Sequence, residues 1–137
     1  MVEILRSFIE QRMPHNKLIG MRLLAVGPGE VTCTVPHGED LAGDPDAGVL
    51  HRGVIISLMD VACGGAVCMR LGRLQPIATI DLRLDSIRTP GPRQSVTARA
   101  ECYEIVGSLA FVRALAYEGD SRRTVAAAQA TFMVSGS

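Results

Sequence analysis

The chain has 137 residues and a mass of 14.6 kDa, the size of one ordinary domain that can bury its own hydrophobic core. Its 14 Lys and Arg residues balance 14 Asp and Glu residues, so the composition argues against a nucleic-acid or anionic-membrane partner. The apolar fraction of 47% excludes a disordered chain. None of the four cysteines belongs to a C-x-x-C pair, and the histidines show no metal-ligand spacing to them. We therefore expect one domain over residues 1–137, in the cytoplasm, with reduced thiols and no metal.

The N-terminal third predicts one helix and one hairpin. Apolar residues in the first 13 positions fall on one helical stripe, and Pro14 ends this pattern. Short apolar and β-branched stretches over residues 18–26 and 30–36 then flank a Gly-Pro-Gly turn. Residues 37–48, rich in Gly, Asp and Pro, are predicted to form a loop.

The most apolar part of the chain follows that loop. The run over residues 54–69 is too long for a strand and shorter than the roughly 20 residues that a membrane span needs. With Gly72 as a stop signal, it predicts a buried helix from about residue 53 to residue 71. We expect no membrane-spanning segment.

Four stretches with a period of two make up the remainder, over residues 77–87, 96–103, 108–117 and 124–134. In the first stretch, one face is expected to carry Ala78, Ile80, Leu82 and Leu84. The other face is expected to carry Thr79, Asp81, Arg83 and Asp85. The order of elements predicts an α+β domain, in which an antiparallel sheet wraps around the one apolar helix.

Asp60 is the only charged residue of the apolar run over residues 54–69. A carboxylate on such a helix must be paired, placed at an interface edge or exposed in a pocket, because an unpaired buried charge costs several kcal/mol. Two interpretations remain open. Asp60 is either a structural carboxylate, paired with an arginine or placed at an interface edge, or a catalytic base or nucleophile.

His51, Arg52 and Gly53 stand where the loop enters this helix. The free N–H groups at a helix start form a partly positive concavity that suits a carbonyl oxygen, and glycine allows a close approach. His51 is either a structural cap or a catalytic group. Because a helix rises about 1.5 Å per residue, Asp60 lies about 10 Å from Gly53 along the axis, and a two-fold partner would have to bring the two together. We therefore expect a homo-oligomer.

At these residues the chain resembles a known family. The stretch GVLHRGVIISLMDVACGGAV, followed by TIDLRLDSIRTP, resembles the hotdog-fold acyl-CoA thioesterases of the phenylacetic-acid-degradation (PaaI) type, in the 4-hydroxybenzoyl-CoA thioesterase superfamily. Their signature is His-Gly-Gly, six residues, then Asp on the central helix. The resemblance covers nearly the whole chain in element order. It implies a hotdog fold with an additional N-terminal helix, an acyl-CoA substrate, no cofactor besides the coenzyme A of that substrate, and a homodimer that pairs into a dimer of dimers.

The resemblance also implies roles for single residues. In that family a backbone amide at the helix start polarises the thioester carbonyl, and the helix carboxylate of the opposite subunit activates water or attacks directly. By that pattern the amides of Arg52 and Gly53 bind the carbonyl, and His51 orders the turn. Asp60 is the base or nucleophile, and Thr79 is a polar helper for the water.

Four further residues are expected on the substrate. Arg88 resembles a position near the CoA phosphates, and Arg93 is a second candidate there. Pro45, followed by Asp46, replaces an Asn that contacts the carbonyl side in many family members. Arg52 itself replaces the first Gly of the signature, which keeps the amide and adds a cation.

Three functions are therefore weighed. Thioester hydrolysis is the favoured prediction. The alternatives are a hotdog enoyl-CoA hydratase or dehydratase, and a non-catalytic acyl-CoA-binding module. Aromatic and medium-chain acyl groups are both open.

Overall fold

The fold is given by a computed structural model that describes residues 1–38, 41–44, 49–119 and 123–135, with residues 42–44 and 49 described by their backbone. Within these ranges the elements are α1 (Val2–Ser7), a π-helical segment (Phe8–Arg12), α2 (Pro14–Leu18), β1 (Arg22–Gly27), β2 (Glu30–Val35), β3 (Ala42–Asp44), β4 (Val49–Leu50), α3 (Arg52–Leu71), β5 (Ile77–Ser86), β6 (Val96–Val106), β7 (Leu109–Glu118) and β8 (Arg123–Val134). The predicted helices, hairpin and late strands are all present. The predicted loop over residues 37–48 contains the short strand β3.

The main sheet wraps around α3, as the order of elements predicted. Its six strands are antiparallel and follow the order β1-β2-β6-β7-β8-β5, while β3 pairs with β4. Alternate residues of β6 are buried against the helix: Val96, Ala98, Ala100 and Cys102. Small side chains at these positions allow the helix to approach the strands closely. The α+β class and the hotdog architecture are confirmed.

The central helix α3 is the core of the molecule. Ten of its 20 residues are buried. It ends at Gly72, whose φ of 76° is accessible to glycine, and the Gly72 N–H donates to the Cys68 carbonyl at 2.9 Å. The helix extends slightly beyond the apolar run at both ends, and it is long and apolar enough to cross a membrane by length and composition alone. A core helix has the same properties, and here the sheet covers it.

The N-terminal region departs from the predicted single helix. Pro14 does not end the helical region but begins α2, since proline at the first helical position removes only an N–H that has no acceptor within the helix. Strand β1 consequently starts at Arg22 rather than at residue 18. Leu5 and Ile9, each 1% exposed, hold this region against the core. The side chain of Glu10 also accepts the Leu23 N–H at 2.8 Å.

A β-bulge at Ile80 overturns the predicted facing of β5. The register with β8 shifts at this residue, so the residues before and after it are out of phase. Ile77 and Thr79 contact α3 before the bulge, whereas Leu82 and Leu84 pack on the core after it. Ile80, expected on the same face as Leu82 and Leu84, is 54% exposed, whereas those two are partly buried. Thr79 thereby joins the helix face instead of the charged face.

Candidate active site

Asp60 meets Thr79 at the junction of α3 and β5. Its Oδ1 atom accepts a hydrogen bond from Thr79 Oγ1 at 3.0 Å. Asp60 is half-buried, and no Lys, Arg or His in the described ranges forms an ion pair with it. The first structural interpretation, an arginine partner, therefore finds no support in the described ranges. One carboxylate oxygen is held by a hydroxyl, and the other is available for chemistry.

An apolar cavity of about 490 Å³ adjoins this carboxylate. It is bounded by α3, by the N-terminal helical residues and by the start of β5. Its lining includes Phe8, Met13, Val61, Gly64, Ile77 and Phe132, together with Asp60 and Thr79. A cavity of this size with few polar groups accommodates an apolar ligand whose reactive end is placed at the carboxylate.

The start of α3 is organised by His51, which caps the helix. His51 has an extended backbone (φ −63°, ψ 141°), and its Nδ1 atom accepts the Gly53 N–H at 2.9 Å. Its carbonyl accepts the Val54 N–H at 3.0 Å. The Arg52 N–H, at the first helical position, forms no hydrogen bond with another residue that the structure describes. The histidine side chain thus occupies the Gly53 amide, whereas the Arg52 amide has no partner among the described residues.

A second cleft, of about 730 Å³, opens at this helix start. Arg52 and Arg88 both line it, and the backbone N–H of Arg88 is fixed by the Val125 carbonyl of β8 at 3.2 Å. Among the described residues that line the cleft there is no Asp or Glu. Two guanidinium groups without a competing carboxylate make this cleft suitable for phosphate groups.

The two groups of site residues lie in different clefts of one chain. Asp60 and Thr79 line the apolar cavity, whereas His51 and Arg52 line the cationic cleft. Eight residues of helix separate Arg52 from Asp60, a rise of about 12 Å. A single chain thus does not bring the carboxylate to its own helix start.

Arg93, the second residue predicted at the CoA phosphates, lies apart from both clefts. It stands between β5 and β6 in a left-handed backbone conformation with a φ of 56°, and it lines neither the apolar cavity nor the cationic cleft. The structure therefore gives this prediction no support. Pro45 and Asp46, the other two residues predicted at the substrate, lie outside the described residues.

The thiols do not compete as nucleophiles. All four cysteines are free and buried. Burial raises the pKa of Cys33 and of Cys63 to about 12, and it also raises the pKa of Cys68, which lines the apolar cavity. These thiols stay protonated at neutral pH. Because only a thiolate is a nucleophile, they are unreactive there. In the described ranges, no group of three or more His, Cys, Asp or Glu residues could hold a metal ion.

Sequence reasoning missed one polar pair beside the carboxylate. His15 Nε2 and Ser57 Oγ are 3.0 Å apart. Ser57 precedes Asp60 by three residues and so shares its helix face, which the spacing alone indicates. His15 gave no comparable signal, because α2 was not predicted.

Comparison with known sequences gives a consistent result. The model of the thioesterase superfamily matches residues 47–125, more than half of the chain. The medium/long-chain acyl-CoA thioesterase YigI of Escherichia coli (strain K12) is 30% identical over 135 residues, which cover 89% of this chain and 86% of that protein.

Solved structures share the fold over nearly the full length. A crystal structure of a Pseudomonas aeruginosa protein has a TM-score of 0.85 and 30% identity, and the match covers 96% of both chains. A mutant of the phenylacetic acid degradation protein PaaI from Thermus thermophilus has a TM-score of 0.76 and 25% identity, over 88% of this chain and 98% of that one.

Proposed function

The chain belongs to the thioesterase superfamily, and from that membership we propose that it hydrolyses acyl-CoA thioesters at sites built from two copies of the chain. One observation carries the proposal. The carboxylate of Asp60, which forms no ion pair with a described residue, lies at an apolar cavity, while the amide of Arg52, which has no partner among the described residues, lies in a separate cationic cleft.

The cationic cleft holds the CoA end of the substrate. Arg88 binds its phosphates, and the Arg52 N–H donates to the thioester carbonyl oxygen. His51 keeps the first turn of α3 in place, so the donor is preorganised before the substrate arrives. As negative charge develops on that oxygen, one such donor is worth about 2.7–4 kcal/mol in favourable cases.

Asp60 of the opposite subunit acts on the carbonyl carbon. Thr79 holds its Oδ1 atom, and the other oxygen accepts a proton from a water molecule. The water oxygen bonds to the carbonyl carbon, the carbon–sulfur bond breaks, and the proton passes to the leaving thiolate. Direct attack by the carboxylate, followed by hydrolysis of the resulting anhydride, is the other route by which Asp60 serves the same reaction. The scheme uses no cofactor besides the coenzyme A of the substrate.

A homodimer is the smallest assembly that completes this site. Its pairing into a dimer of dimers and its cytoplasmic location stay predictions. The relative from Escherichia coli acts on medium and long acyl chains, and the apolar lining of the cavity supports an aliphatic acyl group here as well.

The test is thiol release from a panel of acyl-CoA esters. Asp60→Asn should lower turnover by about 10²–10⁴-fold, the range for loss of a positioned base. Asp85→Asn removes a carboxylate from the exposed face of β5, where it pairs with Arg83, and is the matched control. Loss of enoyl absorbance without thiol release would indicate a hydratase instead. Saturable binding of every ester without turnover would indicate a binding module.

A further inference from the structure

Glu118 is an exception on the buried face of β7. Every second residue of this strand is buried, and the residues that precede Glu118 on this face are apolar: Ala110, Val112, Ala114 and Ala116. Glu118 continues the alternation and is only 7% exposed. Among the described residues it is the only charged residue that is buried. Burial of a carboxylate removes its hydration and is costly, so polar partners must replace the lost water.

The two oxygens of this carboxylate have different partners. Oε1 lies 3.6 Å from Nη1 of Arg123, which is paired with Glu118 in the register of β7 with β8. Oε2 accepts the backbone N–H of Gly91. Gly91 belongs to neither of these strands but to residues 87–95, which connect β5 with β6. Glu118 therefore ties this β5–β6 connection to the sheet.

Two backbone hydrogen bonds hold the ends of the β5–β6 connection. At its start, the Val125 carbonyl accepts the Arg88 N–H at 3.2 Å. At its end, the Ser95 carbonyl accepts the Gly119 N–H at 2.8 Å. The Glu118 carboxylate adds an attachment between these two, in a stretch of chain that belongs to no strand.

The stretch that Glu118 holds is part of the cationic cleft. Arg88, Thr89 and Pro90 all line this cleft. They lie between the Arg88 N–H, which is bound to β8, and the Gly91 N–H, which is bound to Glu118. Because both sides of this short stretch are attached, the Arg88 side chain extends from a fixed backbone. A cation that is already in place binds a phosphate at a lower entropic cost than one that is ordered only on binding.

We propose that Glu118 is a positioning residue for the CoA end of the substrate, because it fixes the β5–β6 connection from which Arg88 reaches the phosphates. This inference rests on the proposed function, in which Arg88 binds those phosphates. Glu118 lines neither the cationic cleft nor the apolar cavity, so it acts through the connection and not on the substrate itself. An apolar residue in its place would complete the buried face of β7 but would take this acceptor from the Gly91 N–H.

The experiment measures kcat and KM for two thioesters of the acyl group that the panel favours. One is the CoA ester, and the other is the N-acetylcysteamine ester, which has the same thioester but no phosphate. Glu118→Leu removes the acceptor and keeps a side chain of similar size on the buried face. It should raise KM for the CoA ester about threefold to tenfold, because the substrate must then order the connection, and leave kcat for that ester and kcat/KM for the short ester unchanged. Glu118→Gln, whose amide oxygen can still accept the Gly91 N–H, should recover most of this loss.

A second measurement tests whether Glu118 acts through Arg88. In an Arg88→Ala background, Glu118→Leu should raise KM no further, because both changes affect one contact. Glu101→Leu is the matched control, since Glu101 also pairs with an arginine, Arg113 at 2.9 Å, but on the exposed face of β6. Its kinetic constants should equal those of the unmodified protein.

The two esters separate the possible outcomes. An equal loss with both esters would mean that Glu118 only stabilises the fold, and an unchanged KM for the CoA ester would mean that the connection holds its place without it. Either result would overturn the positioning role and leave the thioesterase intact. Absence of thiol release by the unmodified protein from every ester would instead refute the proposed function, and the positioning role with it.

Discussion

Two single variants, each inactive alone, should restore activity when mixed if each site uses two chains. Asp60→Asn removes the carboxylate. Arg52→Pro removes the backbone N–H at the helix start, and the local backbone suits it: Arg52 holds the first helical position, and His51 before it is extended with a ψ of 141°. The helix therefore begins as before, without its donor.

The expected magnitudes follow from the geometry. Loss of one preorganised donor costs about 2.7–4 kcal/mol, or roughly 10²–10³ in kcat, and loss of the base costs a comparable factor. In an equal mixture about one half of two-fold dimers are hybrids, each with one intact and one doubly damaged site. The mixture should therefore regain about one quarter of the unmodified activity.

The assay is thiol release before and after the two proteins are unfolded together and refolded. Arg52→Ala keeps the N–H and removes only the guanidinium. Its mixture with Asp60→Asn therefore measures the contribution of the side chain separately from that of the amide. The oligomeric state of each sample is checked by light scattering. A hybrid population that forms and yet shows no regained turnover would mean that the carboxylate serves its own helix start, and the reasoning from α3 would fail.

Three further predictions concern the parts of the two clefts and the buried thiols. Thr79→Val should lower kcat by about tenfold or more at little change in KM, since a hydrogen bond to a charged oxygen is worth about 1.5–3 kcal/mol, and Thr79→Ser should restore it. Arg88→Ala should raise KM for the CoA ester, and the difference from the unmodified protein should shrink as salt is added, because exposed charges are screened; an effect on kcat alone would refute a phosphate contact. Burial raises the pKa of Cys33 and Cys63 from 9.0 to about 12, so the stability conferred by the neutral thiols is fully present below pH 9 and is lost as the pH rises toward 12. Urea titrations across that interval should show a falling free energy of unfolding, and a Cys33→Ala, Cys63→Ala variant should show a smaller fall.

The elements that the sequence predicted well are those whose signal is local. The length and apolar content of α3, and Asp60 as its lone charge, can be read from consecutive residues. The cap at His51 likewise depends on neighbours in the chain. The bulge at Ile80 has no such signal, because it arises from the register of β5 with β8, a strand more than forty residues later. Thr79 was predicted as a site residue from a family pattern, while the period-two argument placed it on the wrong face.

The difference between local and long-range signals also explains why the N-terminal helices were predicted only in part. The sequence pattern indicates Pro14 as a stop, although proline is equally suited to begin a helix, and only the packing against α3 decides between them. The contribution of Phe8 and Met13 to the lining of the apolar cavity therefore could not be predicted, because it depends on which part of α3 the N-terminal residues cover. A stripe of apolar residues predicts that a helix packs, but not where.

The bulge at Ile80 connects the chemistry with the need for a partner. It places the Thr79 hydroxyl within hydrogen-bond distance of the carboxylate, and it leaves the Ile80 side chain 54% exposed on β5, which is an edge strand of the main sheet. An exposed apolar edge favours association with a second strand. The Arg52 amide and Asp60 act on the same thioester carbonyl group, whereas the helix holds their backbones about 12 Å apart along its axis, in different clefts. The proposed two-chain site therefore predicts activity only in the assembled protein, and full turnover by a dilute monomer would contradict it.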